Sequence, residues 1–213
     1  MHLAQRLFAS AYDPVMAPLE HGRVGAQRAA LLADAHGHVL DVGAGTGANL
    51  EHLPATVTQV TAVEPDAAMR VHLRRHVAAL AAVAEQPLPD IEVADAVAEA
   101  LPMADASVDV AITTLVLCTV HDPELAVAEL RRVLRPAGWL IVLEHVASHR
   151  PGRQRLQRTL TPAWKVVARG CHLDRDTRSA LDAGGFDVAE VVPWQLSDRS
   201  RLTAAITGVA RPA

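Results

Sequence analysis

The sequence predicts an α/β fold, a doubly wound seven-stranded sheet that is mostly parallel with an antiparallel last strand. Three observations predict it. Short apolar runs alternate with helical patterns five times along the chain, as parallel strands joined by crossovers do. Two runs, "VDVAITTLVL" (108–117) and "WLIVLEHV" (139–146), are almost continuously apolar, as strands covered on both faces must be. The last two runs, "FDVAEVV" and "LTAAITGVA", follow each other through a short loop. No crossover helix fits there, so the final strand turns back.

The elements follow in order. "HVLDVG" (38–43) is a β-prone first strand that ends in glycines. "TVTQVTAVE" (56–64) alternates and carries β-branched residues. "DAAMRVHLRRHVAALAAV" (66–83) has helical periodicity behind Asp66 as N-cap. "DIEVAD" (90–95) is a short third strand, and 108–117 is the fourth. "DPELAVAELRRVL" (122–134) opens with an Asp cap and a first-turn Pro, and "RPAG" ends it. The fifth strand is 139–146. "QRLQRTLTPAWKVVARG" reads as a helix broken at Pro162. "DRDTRSALDAGG" (174–185) is a helix closed by glycines, and the last two strands complete the seven.

Composition narrows the function classes. The 213 residues make one domain with a full core, half of them hydrophobic but only 3% aromatic, so Ala, Val and Leu must fill it. A net charge of -4 does not suit a nucleic-acid binder. The two cysteines, Cys118 and Cys171, are too few for a disulfide framework. "MHLAQRLFASAYDP" is not a secretory segment, and no apolar run is long enough for a membrane span. The expectation is a cytoplasmic protein with reduced thiols.

The chemistry centres on "VLDVGAGTGANL" (39–50), with Gly43, Gly45 and Gly47 directly after the first strand. Ligands of open α/β sheets bind at the carboxyl ends of the strands, and glycine lets backbone approach a ligand closely. The dinucleotide fingerprint is G-x-G-x-x-G; here the third glycine comes one residue early, and Asp41 stands two residues before the first. Glu64 closes the second strand, where it can accept from both ribose hydroxyls, and Asp95 closes the third, where an adenine amino group can be met. No Lys or Arg in the loop cradles phosphate, which excludes a P-loop. A Tyr-x-x-x-Lys dehydrogenase is excluded too, since the single Tyr is Tyr12 and the single Lys is Lys165.

This D-x-G-x-G-x-G, with Glu64 and Asp95, resembles the S-adenosylmethionine site of class I methyltransferases. The resemblance implies a Rossmann-like fold and S-adenosylmethionine as cofactor, with S-adenosylhomocysteine as product. From about Val39 to the end the chain is similar to the methyltransferase-like thiol S-methyltransferases. That likeness runs through "TLVLCTVHDPELAVAELRRVLRPAGWLIVLEHV" (114–146), "TPAWKVVARGCHLDRDT" (161–177) and "WQLSDRSRLTAAITGVARP". The hydrophobic anchor of that group is not seen in the opening residues.

By this resemblance Asp41, Gly43, Ala44, Gly45 and Gly47 hold the methionine part of the cofactor, with Asn49 beside them. Glu64 and Pro65 take the ribose, Asp95 and Ala96 the adenine, and Met69 flanks one or the other. Thr114 lines the methyl-transfer side. Tyr12 either covers the cofactor, within a helical cap over residues 1–36, or simply packs. The acceptor side is a helical segment over 148–185, with Cys118, Trp164, Cys171 and His172 as candidate lining. On its apolar run Cys118 reads first as a buried small apolar residue. His121 and His145, at strand ends, are candidate proton acceptors or histidines held by a backbone partner. No metal site is expected, because the Cys and His spacings are wrong for zinc. The four arginines of "HRPGRQRLQR" (149–158) are a solvated helix face or a contact for anionic lipid or an acidic acceptor.

The functional expectation is methyl transfer to a small and preferably apolar molecule, with a thiol acceptor leading. The rivals are N- or O-methylation of a metabolite or phospholipid head group, and a non-catalytic module that binds the cofactor. No nucleic-acid partner is expected; the oligomeric state is left open.

Overall fold

The computed structural model describes residues 3–168, 170–197 and 203–213. Two helices come first, α1 (Leu3–Glu20) and α2 (Arg23–Leu32). Then follow β1 (Gly37–Val42), β2 (Val57–Val63), α3 (Ala67–Val83), β3 (Asp90–Ala94), β4 (Val108–Thr114), α4 (Pro123–Val133) and β5 (Leu134–His145). The chain closes with α5 (Pro151–Val167), α6 (Thr177–Ala183), β6 (Phe186–Asp187), β7 (Val192–Gln195) and β8 (Ala204–Pro212).

The strands form one sheet in the order β3-β2-β1-β4-β5-β8-β6, with β7 also paired to β8. Neighbours from β3 to β5 are parallel, and β8 runs antiparallel to β5, β6 and β7. The Rossmann-like sheet with a reversed last strand is therefore present. Apolar side chains pack both its faces. Leu40, Ala111, Leu140 and Val142 join α4 through Leu130 and Val127 in one cluster. Val39, Val60, Ile112 and Ile141 join α2 and α3 through Leu32 and Leu73 in another. This two-sided cover is why β4 and β5 read as continuous apolar runs.

The expected caps are in place. Asp66 accepts from the amides of Ala68 and Met69 at 2.7 and 3.3 Å, and Asp122 accepts from Leu125 at 2.9 Å. The alternation is less regular than the sequence suggests. The β1–β2 connection holds only a 3-10 turn, Leu50–His52, and the β3–β4 connection holds no α-helix. Arg132 of α4 takes the place of a helix there. It donates to the Met103 and Leu101 carbonyls at 2.7 and 3.1 Å and pairs with Asp105 and Glu129.

Three expectations need correction. The expected break at Pro162 does not occur, and α5 continues through it. Pro162 lies on the exposed face, as does Arg158 one turn back, so the carbonyl left without a donor faces water rather than core. The expected strand 186–192 is two strands. Asp187 Oδ1 accepts the Ala189 amide at 2.9 Å, which turns the chain before β7. Finally, β4 ends at Thr114, because Leu115 adopts φ 59° and turns the chain out of the sheet. Leu202, which opens the expected last strand, lies outside the described residues.

The turn between β6 and β7 packs on β8 at Gly208. With φ 143°, a Cβ at Gly208 would fall 2.0 Å from the Glu190 carbonyl oxygen. Gly208→Ala should therefore cost at least about 1–3 kcal/mol of stability, at about 2–4 °C of Tm per kcal/mol for a chain of this size. An unchanged melting temperature would refute this packing.

Candidate active site

The strand order reverses between β1 and β4, and the carboxyl ends of the strands at such a point are where open α/β sheets bind ligands. The strand ends deliver Asp41 and the glycine loop from β1, Glu64 from β2, Asp95 from β3, Thr114 from β4 and His145 from β5.

Asp41 is 1% exposed. Its Oδ1 accepts from Asn49 Nδ2 at 2.7 Å, while Oδ2 meets no donor among the described residues. Burial pushes its carboxyl up to about 7, against the Asn49 hydrogen bond and the Arg28 charge. Asn49 is oriented from behind. Arg28 of α2, itself buried, donates Nη1–H to Asn49 Oδ1, which turns the Asn49 amino group toward Asp41. The other edge of the guanidinium forks onto Glu20 of α1 at 2.8 and 3.2 Å. Sequence reasoning missed Arg28 and Glu20. The one available signal was an Arg among the apolar positions of a helix.

Glu64, 8% exposed, ties the loop down. Its Oε2 accepts the Gly45 amide at 3.0 Å and its Oε1 the Asp66 amide at 2.8 Å. Burial raises its carboxyl above the ordinary range. Asp95 is exposed and paired with Arg70, which donates to both its oxygens at 2.8 and 2.6 Å and to the Glu64 carbonyl at 2.7 Å. Ala96 beside it is half-buried and Pro65 exposed.

The three glycines differ in role. A Cβ at Gly43 would strike Val116 at 2.6 Å, and one at Gly47 would strike Leu73 at 2.8 Å, so both are needed for packing. A Cβ at Gly45, with φ 60°, would find nothing nearer than Met69 Cε at 3.8 Å. Of the three, only Gly45 would seat a Cβ without a clash. Ala44, Met69 and Thr46 are buried around it. Met69 clusters with Ala9, Phe8 and Tyr12 of α1, and Thr46 donates to Asp13 at 2.6 Å. The N-terminal helix thus lies against the loop, and burial pushes the Tyr12 hydroxyl up to about 12.

On the other side, Glu144 is fully buried. It accepts from the amides of Val116, Leu117 and Cys118 at 3.0, 3.0 and 3.4 Å, organising the turn after β4 next to Thr114. Burial pushes its carboxyl up to about 7. Sequence reading passed over Glu144, although a carboxylate inside "WLIVLEHV" was a visible anomaly. Cys118, Cys171 and His145 come together. The two sulfurs lie 3.5 Å apart and Cys171 Sγ is 3.8 Å from His145 Nδ1. Trp164, 42% exposed, also favours the ionised Cys171. His172 contributes its backbone amide to the Cys118 carbonyl at 2.8 Å. His121 is exposed, and its own amide donates to Glu99. Of the two candidate histidines, the structure packs His145 against Cys171. Among the described residues no group of three or more His, Cys, Asp or Glu is arranged to hold a metal ion. No helix among them is long and apolar enough to cross a membrane.

The residues present fit S-adenosylmethionine. A buried acceptor, Asp41 Oδ2, suits its ammonium, and the missing side chain at Gly45 lets the loop backbone come close to a ligand. The nearby guanidinium groups of Arg28 and Arg70 are committed to Glu20, Asn49 and Asp95, so they do not oppose a cationic ligand unscreened.

Comparison with known proteins agrees. Residues 40–142 match a family described as a methyltransferase domain. The thiol S-methyltransferase TMT1B of Rattus norvegicus is 36% identical over 160 residues, covering 74% of this chain and 62% of that protein. The human thiol S-methyltransferase TMT1A is 36% identical over 151 residues, 70% of this chain and 59% of that one. The chain thus spans about three fifths of the length of these relatives. The fold recurs in a Thermotoga maritima S-adenosylmethionine-dependent methyltransferase, titled a possible histamine N-methyltransferase. That structure has a TM-score of 0.68 at 20% identity and covers 98% of this chain and 97% of that one. Fold, motif order and these matches point the same way: the chain is similar to the class I S-adenosylmethionine-dependent methyltransferases. Within that class its relatives include the thiol S-methyltransferases.

Two outcomes test the site. Gly45→Val should abolish binding of S-adenosylhomocysteine in calorimetry, because a branched side chain crowds Met69 and is strained at φ 60°. A folded variant that binds normally would refute the loop assignment. Asp41 gives a pH dependence. Its folded carboxyl titrates near 7 but near about 3.9 unfolded. Below about 4 both states are protonated. Between about 4 and 7 only the folded state keeps its proton, so the free protein loses stability as pH rises through that window. A cationic ligand needs the carboxylate, so affinity should rise with pH up to about 7. Asp41→Asn should bind more weakly and with a shallower rise; an equally steep one would place the titrating group elsewhere.

Proposed function

We propose that the chain transfers the methyl group of S-adenosylmethionine to a small-molecule acceptor, and that a thiol is the favoured acceptor. The observation that carries the reaction is Asp41 Oδ2, a buried acceptor without a donor among the described residues, on the strand that leads into the glycine loop. The acceptor class rests on 36% identity to proteins named thiol S-methyltransferases. The proposed setting is cytoplasmic, with small-molecule and not nucleic-acid partners. Free thiols at Cys118 and Cys171 and a net charge of -4 support it.

In this reading Asp41, Asn49 and the loop from Gly43 to Gly47 hold the methionine part of the cofactor. Glu64 takes the ribose, Asp95 and Ala96 the adenine, and Met69 packs against them. Tyr12, within the helical cap of residues 1–36, closes over the cofactor from α1. When bound, S-adenosylmethionine supplies an electrophilic methyl on a sulfonium. What remains for the protein is to align the nucleophile, exclude water and manage one proton. Thr114 and the turn held by Glu144 form the floor at the end of β4. Trp164, Cys171 and His172, from the segment 148–185, with Cys118, line the acceptor side. His145 is the proton acceptor for a thiol that arrives protonated. A thiol with a pKa near 8.5 is partly ionised at neutral pH, so this base is helpful rather than essential.

One observation favours a second acceptor, a phospholipid head group. Arg155 and Arg158 of α5 are exposed beside Leu156 and Leu160, which are 46% and 37% exposed. Arginine next to apolar surface suits an anionic lipid.

The test is turnover of purified protein with S-adenosylmethionine and alkyl thiols, amines, phenols or phospholipid vesicles, followed by S-adenosylhomocysteine release and product mass. Turnover confined to thiols is expected. At a pH above the thiol pKa, His145→Ala should lose less than about tenfold in rate, since the base is then unnecessary. Turnover on amines or lipid alone would discard the thiol assignment. Tight cofactor binding without turnover on any acceptor would favour a binding module.

A further inference from the structure

The chain has two cysteines, 53 residues apart in sequence, and the fold places their sulfurs 3.5 Å from each other. The backbones on either side are already fastened. The His172 amide donates to the Cys118 carbonyl at 2.8 Å, and Arg175 Nη1 donates to the Leu117 carbonyl at 2.6 Å. Gly170 lies against the Thr119 carbonyl, which a Cβ there would approach to 3.3 Å. A disulfide needs its sulfurs at about 2.05 Å. The remaining approach is about 1.5 Å.

The two sulfurs are not equivalent. Cys118 is 1% exposed, while Cys171 is only partly buried. The ionised form of Cys171 is favoured first by the Cys118 thiol, which donates to it, and then by His145. Cys118 shifts the opposite way, held as a thiol by that same contact and by burial beside Glu144. An accessible thiolate with a buried thiol behind it is the arrangement of an attacking and a resolving cysteine.

We propose that Cys171 and Cys118 form a reversible oxidation site that a hydroperoxide converts to an intramolecular disulfide. Cys171 thiolate attacks the peroxide; an S–O bond forms, the O–O bond breaks, and the leaving hydroxide or alkoxide takes up a proton. The Cys118 sulfur then attacks the Cys171 sulfenic acid; the S–S bond forms, the S–O bond breaks, and hydroxide leaves with the Cys118 proton as water. Two thiols lose two electrons, and hydrogen peroxide gains them to give two waters. A dithiol reductant reverses the change by exchange. The disulfide would join the segment after α5 to the turn after β4, beside His145.

The test uses the full chain, reduced and then freed of reductant, with hydrogen peroxide as probe. The expected result is loss of both titratable thiols, a peptide pair linked through Cys118 and Cys171 within one chain, and full recovery with dithiothreitol. In Cys118→Ser the reaction should stop at a sulfenic acid on Cys171, captured by dimedone. The proposal is overturned if wild-type protein keeps both thiols under conditions that oxidise free glutathione. It is also overturned if linked peptides arise only between chains, or if Cys171 proceeds to sulfinic acid while Cys118 stays free. These thiol readouts do not depend on methyl transfer, so their failure and the failure of the proposed function are separate results.

Discussion

A carboxylate taken out of water must find donors or surrender its charge, and Asp41 is held between these outcomes. One oxygen has Asn49; the other has no partner among the described residues. The arrangement depends on which way Asn49 points, because a flipped amide would set its oxygen against the carboxylate. Arg28 decides this, having donors only, so Asn49 must present its carbonyl to Arg28 and its amino group to Asp41. Glu20 offsets the buried guanidinium in turn. Four residues from α1, α2, the loop and β1 therefore form one chain of hydrogen bonds. The N-terminal helices are therefore part of the electrostatics around Asp41.

The same physics recurs at two other strand ends. Glu64 gathers the amides of Gly45 and Asp66, and Glu144 gathers three amides of the turn after β4. Each is a buried acid whose oxygens fix a segment that has no regular structure of its own. Fixed backbone dipoles need no reorganisation when charge changes nearby. That suits a site built for a cationic ligand, where flexible cationic side chains would be unfavourable.

The sheet and glycine loop were legible because their signals are local. Apolar runs, caps at Asp66 and Asp122, and an acid two residues before the first glycine all fall within short windows. The partners of these residues were not legible. Arg28 meets Asn49 across 21 residues, Arg70 meets Asp95 across 25, and Glu144 meets Leu117 across 27. Only the sheet order makes them neighbours. His121 and His145 looked alike in sequence, each just past an apolar run. Topology separates them, since the segment after α5 returns its Cys171 to His145 at the end of β5. Pro162 misled for another reason: its cost depends on whether the freed carbonyl faces core or water, which periodicity does not reveal.

The two halves of the candidate site rest on different foundations. The proposed cofactor side stands on β1, β2 and β4, whose central side chains are fully buried on both faces of the sheet. The proposed acceptor side borders α5, which buries only Gln157 and Thr161. Gln157 accepts the Ser148 amide and donates to the Val146 carbonyl, while Leu156, Leu160, Val166 and Val167 stay exposed. Polar contacts hold that helix, and little apolar area resists its displacement. Segments of this kind open at lower free energy than core strands, and their surface can change without disturbing the sheet. A deep core thus fixes the proposed cofactor half, while the proposed acceptor half can vary residue by residue. On that proposal, the identity of the acceptor is to be sought along α5 and the segment after it.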